Sequence, residues 1–142
     1  MPSDIVLDHV AIAVSSLDNA KKIYEDLGLK FSLNIEVVES QKVKTLFAEL
    51  GKDKSAGHLE LLGPIGNDGP IYNFIQKNGE GIHHLAFLVK DITQLSLDLK
   101  AKGYRLLYEN PVAGAGGKLV NFIHPKSTGG VLIEICQCQK NK

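Results

Sequence analysis

At 142 residues, with 44% hydrophobic and 23% charged residues, the chain has the size and composition of one globular domain. Such a length can bury about 70% of the unfolded surface, so no metal or disulfide is needed merely to hold the fold together. Sixteen basic residues balance sixteen acidic ones, which argues against nucleic acid as the main partner, because phosphate recognition leaves a basic footprint. No run approaches the roughly 20 apolar residues of a membrane span, and the start MPSDIVLDHV lacks the basic and apolar segments of a signal peptide. Cys136 and Cys138 stand too close in an extended segment for a comfortable mutual disulfide. A cytoplasmic protein with reduced thiols and no membrane partner is expected.

Along the chain, DHVAIAV (8–14) reads as a strand, and SSLDNAKKIYEDLG that follows reads as a helix. Leu17, Ala20, Ile23, Tyr24 and Leu27 recur at helical spacing, with Ser16 or Asp18 near the start and Gly28 at the end. Shorter extended stretches come next: LKFSLNIEVV, KVKTLFAELG and GHLELLGP. Residues 65–81 form a connector whose middle predicts a short helix, with Ile71, Phe74 and Ile75 on one side and Gly79 as its stop. The strand HHLAFLV (83–89) is followed by the helix KDITQLSLDLKAKG, with Ile92, Leu95 and Leu99 in phase, Asp91 as N-cap and Gly103 after the last turn. YRLLYENP, KLVNFIHP and GGVLIEICQ complete this half as extended stretches.

The two halves are one pattern written twice. An offset of 75 residues carries His9 onto His84, Val14 onto Val89, Leu17 onto Ile92 and Gly28 onto Gly103. Each half therefore reads βαβββ: a first module over 5–64 and a second over 82–138, within a single 1–142 domain of the α+β class. Alternate strand residues share a face, so His9 lies with Ala11 and Ala13, and His84 with Ala86 and Leu88. Small neighbours leave room beside each imidazole.

The last strand of each half places a carboxylate among aliphatic residues, Glu60 in HLELLGP and Glu134 in VLIEICQ. Burying such a group is costly unless it is paired, protonated or bound to a cation. Histidine and glutamate are separated by 51 residues in the first half and 50 in the second, so the couples are equivalent under the repeat. Two imidazoles and two carboxylates suit a divalent transition metal such as Co²⁺, Mn²⁺, Ni²⁺, Fe²⁺ or Zn²⁺, and octahedral geometry would leave two positions open. The competing reading pairs Glu60 and Glu134 with lysines at strand ends. Of the other histidines, His83 falls on the strand face opposite His84, and His58 has Leu132 as its counterpart, which cannot bind metal. His124 stands at a strand end as a substrate or supporting contact.

The paired DHVAIAV and HHLAFLV strands, LELLGPIG, NFIQKNGEGIHHLAF and FIHPKSTGGVLIE resemble the methylmalonyl-CoA epimerases, a family of the vicinal oxygen chelate superfamily, over roughly residues 5 to 138. That resemblance implies two βαβββ modules whose strands curl into a partly open, barrel-like sheet of eight strands around a metal site. It puts the ligand positions on His9, Glu60, His84 and Glu134. It implies interconversion of (2R)- and (2S)-methylmalonyl-CoA through loss of the α-proton and a metal-stabilised enolate, with Glu134 as one acid/base group, and a homodimer. Some family members carry a glutamate at the position aligned with Lys44; here Lys44 would relay the second proton, hold the substrate carboxylate, or simply face solvent. The glycine-rich loops PVAGAGGKLV and PKSTGG offer Gly116, Gly117, Lys126 and Ser127 to the substrate carboxylate or the CoA phosphates, hairpin turns being the plain alternative. The first loop is not a phosphate-binding P-loop, since Leu119 follows Gly117-Lys118.

Two other functions compete. A glyoxalase-type lyase or isomerase acting on glutathione hemithioacetals uses similar enolate chemistry, and a metal-free module that sequesters small molecules would need no ligands at all. An extradiol dioxygenase fits less well, because its iron takes two histidines and one carboxylate, whereas a second carboxylate stands here.

Overall fold

The structure is a computed structural model that describes residues 4–52 and 57–139. Residues 1–3 of the N-terminal stretch considered in the sequence lie outside the described residues. Among the described residues the main elements are β1 (Val6–Ala13), α1 (Leu17–Asp26), β2 (Glu36–Val38), β3 (Val43–Glu49), β4 (His58–Pro64), α2 (Pro70–Asn78), β5 (Gly81–Leu88), α3 (Ile92–Ala101), β6 (Val112–Ala113), β7 (Lys118–Ile123) and β8 (Ile133–Cys138). The class is α+β, and the βαβββ order occurs twice with α2 between. The described residues divide into two compact units, His9–His83 and the remainder on either side of it.

In the unit His9–His83 the strands lie in the order β2-β3-β4-β1, with β1 and β4 parallel and the other neighbours antiparallel. Helix α1 starts where the Ser16 hydroxyl accepts from the Asn19 N–H at 3.2 Å, filling one of the donors a helix N-terminus leaves open. It is followed by Gly28 at φ +106°, a conformation that costs glycine little. Its Leu17 and Ala20 pack with Val14 and Leu61, with Ile12, Tyr24 and Phe31 around them. Ile23 and Leu27, expected on the same apolar face, are 62% and 72% exposed. They lie on one flank of the stripe, beyond the width the sheet covers. On the opposite sheet face Ala11, Ala13, Val43 and Leu62 pack with Ile71, and Phe74 and Ile75 of α2 close over them. The predicted connector helix is thus present, and Gly79 ends it.

The second unit repeats the arrangement in the order β5-β8-β7-β6, again with its first and last strands parallel. The Asp91 carboxylate accepts from the Gln94 N–H at 3.0 Å and caps α3, and Ile92, Leu95 and Leu99 pack with Val89, Leu119 and Ile135. The stretch YRLLYENP does not form the expected strand. Leu106 makes one isolated bridge to Ile123, and ladder pairing resumes only at Val112–Ala113. Asn121, fully buried, takes the place of the missing ladder bonds. Its side-chain oxygen accepts from the N–H groups of Tyr108 at 3.1 Å and Phe122 at 2.8 Å, and its amide donates to the Tyr108 carbonyl at 3.1 Å and the Ser96 hydroxyl at 3.4 Å. LKFSLNIEVV behaves similarly: only Glu36–Val38 is strand, with Phe31 bridging Ala48.

Lys118, at the start of β7, donates from Nζ to both carboxylate oxygens of Asp8 at 2.8 Å, and Asp8 is only 6% exposed. Burial lowers the lysine pKa, but the hydrogen bond and charge of Asp8 outweigh it, and the net shift is upward. The pair therefore stabilises fully below the ordinary lysine pKa and its contribution fades as pH climbs through the raised value. Removing one partner of such a pair is costly, while removing both is not. Lys118→Met is expected to cost about 3 kcal/mol in urea unfolding at neutral pH, and Asp8→Leu with Lys118→Met to regain most of it. A single variant as stable as wild type would show that the pair contributes nothing.

Candidate metal centre

Alternation along β1 sets His9, Ala11 and Ala13 on one face. The ladder carries that face across the unit: Ala11 is registered beside Glu60 of β4, and Glu60 stands opposite Phe47 of β3. His9 Nε2 lies 3.3 Å from Glu60 Oε1, with the two residues 4% and 3% exposed. In the other unit Ala86 of β5 is registered beside Glu134 of β8, and Glu134 stands opposite Phe122 of β7. His84 Nε2 lies 3.2 Å from Glu134 Oε1, and both residues are buried. Down to the alanine, the same device is built twice.

At such distances an imidazole nitrogen and a carboxylate oxygen cannot face each other with bare lone pairs. A proton on Nε2 or a cation must mediate between them. Each of these carboxylates has a histidine at contact distance within its own unit. Nitrogen and oxygen donors of this kind are the ones divalent transition metals take.

Two residues were missed in the sequence. The Phe47 ring meets His9 edge-on, with centroids 6.0 Å apart and planes at 83°, and the Phe122 ring meets His84 at 5.6 Å and 89°. They are separated by the same 75 residues as the histidines, so the repeat contained the signal.

Lys44 is placed elsewhere. It is opposite Gly63, on the face of β3 that carries Leu46 and looks toward α1, whereas Thr45 and Phe47 share the face of Glu60. Its side chain is exposed and lines a cavity of about 250 Å³ with Ser15, Ser16, Leu17, Asp18 and Ile35. A proton relay from Lys44 to the Glu60 face would have to cross the sheet. His58 does share the Glu60 face and packs edge-on against Phe47 at 6.1 Å, while His83 packs against Phe74 of α2 at 4.8 Å.

His124 caps the short turn Pro125–Ser127, its Nδ1 accepting from the Lys126 N–H at 3.0 Å. The Ser127 hydroxyl accepts from the Arg105 N–H at 3.0 Å, and the Lys126 side chain is exposed. Gly116 and Gly117, at φ +71° and +68°, precede β7, whereas the His124 turn follows it. The two loops therefore stand at opposite ends of one strand of about 20 Å and are not brought together. Cys136 and Cys138 are free thiols. Burial, then the charges of Asp8 and Glu134, push the Cys136 thiol strongly upward, so it stays protonated and offers no thiolate.

The family described as the Glyoxalase/Bleomycin resistance protein/Dioxygenase superfamily matches residues 8–122. The chain is 44% identical over 133 residues to the mitochondrial methylmalonyl-CoA epimerase of Homo sapiens, across 92% of this chain and 73% of that one. It is 39% identical over 138 residues to the ethylmalonyl-CoA/methylmalonyl-CoA epimerase of Cereibacter sphaeroides, across 92% of this chain and 96% of that one. A solved structure of a Streptomyces coelicolor methylmalonyl-CoA epimerase variant, in complex with 2-nitronate-propionyl-CoA, superposes with a TM-score of 0.87 at 34% identity, over 94% of this chain and 97% of that one.

Proposed function

The chain belongs to the Glyoxalase/Bleomycin resistance protein/Dioxygenase superfamily, and from that premise we propose that it interconverts the (2R) and (2S) forms of methylmalonyl-CoA. The enzyme is an isomerase. The observation that carries the substrate assignment is near-full-length similarity to epimerases together with two buried His–Glu couples in equivalent registers.

In this reading His9, Glu60, His84 and Glu134 hold one divalent cation, with Co²⁺ ahead of Mn²⁺, Ni²⁺, Fe²⁺ and Zn²⁺. The donor set fits: each couple offers a nitrogen and an oxygen between which either a proton on Nε2 or a cation must stand, and both are donors that divalent transition metals take. When bound, the cation supplies a Lewis acid for the thioester oxygen, where charge develops as the α-proton leaves. Glu134 takes that proton from the carbon between thioester and carboxylate, and returns one in the reverse direction. Inversion requires a second donor on the opposite face of the flattened carbon, and Lys44, across the sheet from the Glu60 face, is not assigned to it.

The turn ordered by His124 and Ser127 presents the Lys126 ammonium, and the amides around Gly116 and Gly117 form a second polar edge. These two loops are proposed to meet the anionic parts of the substrate, its carboxylate and its CoA phosphates. The enzyme is further proposed to work as a cytoplasmic homodimer on a small-molecule substrate. No helix among the described residues is long and apolar enough to cross a membrane.

Incubating the metal-loaded protein with one epimer in D₂O tests the reaction. Deuterium is expected at the epimerised carbon together with inversion; Glu134→Gln should slow both at least about a hundredfold, and Lys44→Ala should leave them unchanged. Absence of exchange, with turnover of methylglyoxal plus glutathione instead, would contradict the assignment. Metal removal gives a second check: Co²⁺ at about 100 times its Kd should add about 2.7 kcal/mol of stability, reversed by a chelator and absent in His9→Ala. An unchanged melting temperature on loading would count against the cation.

A further inference from the structure

We infer that Phe47 and Phe122 are positioning residues that fix the orientation of the two histidine rings, a step that rests on the metal-binding reading above. Each phenylalanine lies directly across the ladder from a glutamate, Phe47 from Glu60 and Phe122 from Glu134. Each meets the corresponding imidazole edge-on, at 6.0 Å and 5.6 Å. The imidazole thus has a carboxylate at Nε2 and an aromatic ring packed beside it.

The torsion that turns an imidazole about its Cβ–Cγ bond is broad, with no sharp intrinsic minimum. On the side toward each glutamate, the same-face strand neighbours Ala11 and Ala86 are methyl groups too short to hold a ring, and on the other side Leu7 and Ile82 are exposed. A ligand free to swing must be ordered when it binds, and that ordering weakens the bond it makes. An edge-to-face aromatic contact supplies direction as well as area, which an aliphatic side chain of similar volume does not.

The second ring is itself braced. Tyr108 packs edge-on against Phe122 at 6.2 Å, and Tyr108 is fastened through its backbone to the fully buried Asn121, which also reaches Ser96 on α3. The Asn121 network therefore reaches His84 by way of two aromatic rings. In the first unit His58 occupies the bracing position against Phe47, at 6.1 Å. The bracing groups differ between the units, but the phenylalanine does not.

The test uses Phe47→Leu, Phe122→Leu and their tyrosine counterparts in the full chain, titrated with Co²⁺ and followed by visible absorption. The leucine variants are expected to bind about tenfold more weakly, the lower end of what losing a group that orients a ligand costs, with shifted Co²⁺ bands, and the tyrosine variants to regain most of the affinity. In the metal-free protein, the ring signals of His9 or His84 should broaden or double by NMR in the leucine variant of the same unit. Leucine variants with wild-type affinity, spectrum and ring signals would overturn the positioning role while leaving the metal reading intact. A wild-type protein that takes up no Co²⁺ would overturn both. Should Phe122→Leu fail to fold, Tyr108→Leu, one contact further out, is expected to shift the His84 ring signals alone; unchanged signals there would equally defeat the inference.

Discussion

A carboxylate held against an imidazole nitrogen inside an apolar strand is the constraint on which the rest depends. Glu60 and Glu134 are buried in strands whose flanking residues are aliphatic, where an unpaired charge would cost several kcal/mol. The fold builds this buried pairing twice, at matching registers, with an alanine beside each carboxylate and a phenylalanine across from it.

The surrounding structure is arranged to make those positions rigid. Parallel pairing of the first and last strands in each unit sets histidine and glutamate at neighbouring rungs, and α1 and α3 cover the sheet faces on the far side. In the second unit Asn121 substitutes side-chain hydrogen bonds for a ladder that the 104–111 stretch does not make. The ion pair between Asp8 and Lys118 fixes the residue next to His9 in sequence to the start of the strand that carries Phe122. Loops that are proposed to meet substrate lie at the two ends of that same strand.

Much of this was legible in the sequence because the repeat converts weak signals into paired ones. A lone histidine in a strand says little, but His9 and His84 at an offset of 75, each followed some fifty residues later by a buried-looking glutamate, select four residues together. Helix limits were legible for local reasons, since Ser16 and Asp91 cap through their own side chains and Gly28 and Gly103 adopt positive φ. Lys44 was less readable. Its face depends on the register of β3 against β4, which is set by pairing over distance and not by the residue's neighbours. Phe47 and Phe122 went unread because a phenylalanine in a strand is ordinarily core, and only the register shows it opposite a glutamate. The 104–111 stretch has the apolar content of a strand, yet only Arg105 and Leu107 make backbone bonds to His124 and Phe122, and the Tyr108 backbone bonds the Asn121 side chain instead.

The central claim, that both couples serve one cation, is tested most directly by counting metal. After loading with Co²⁺ and removing excess, elemental analysis of the wild-type protein should find one cation per chain, and neither His9→Ala nor His84→Ala should retain it. Two cations per chain, or full retention in either variant, would contradict the account.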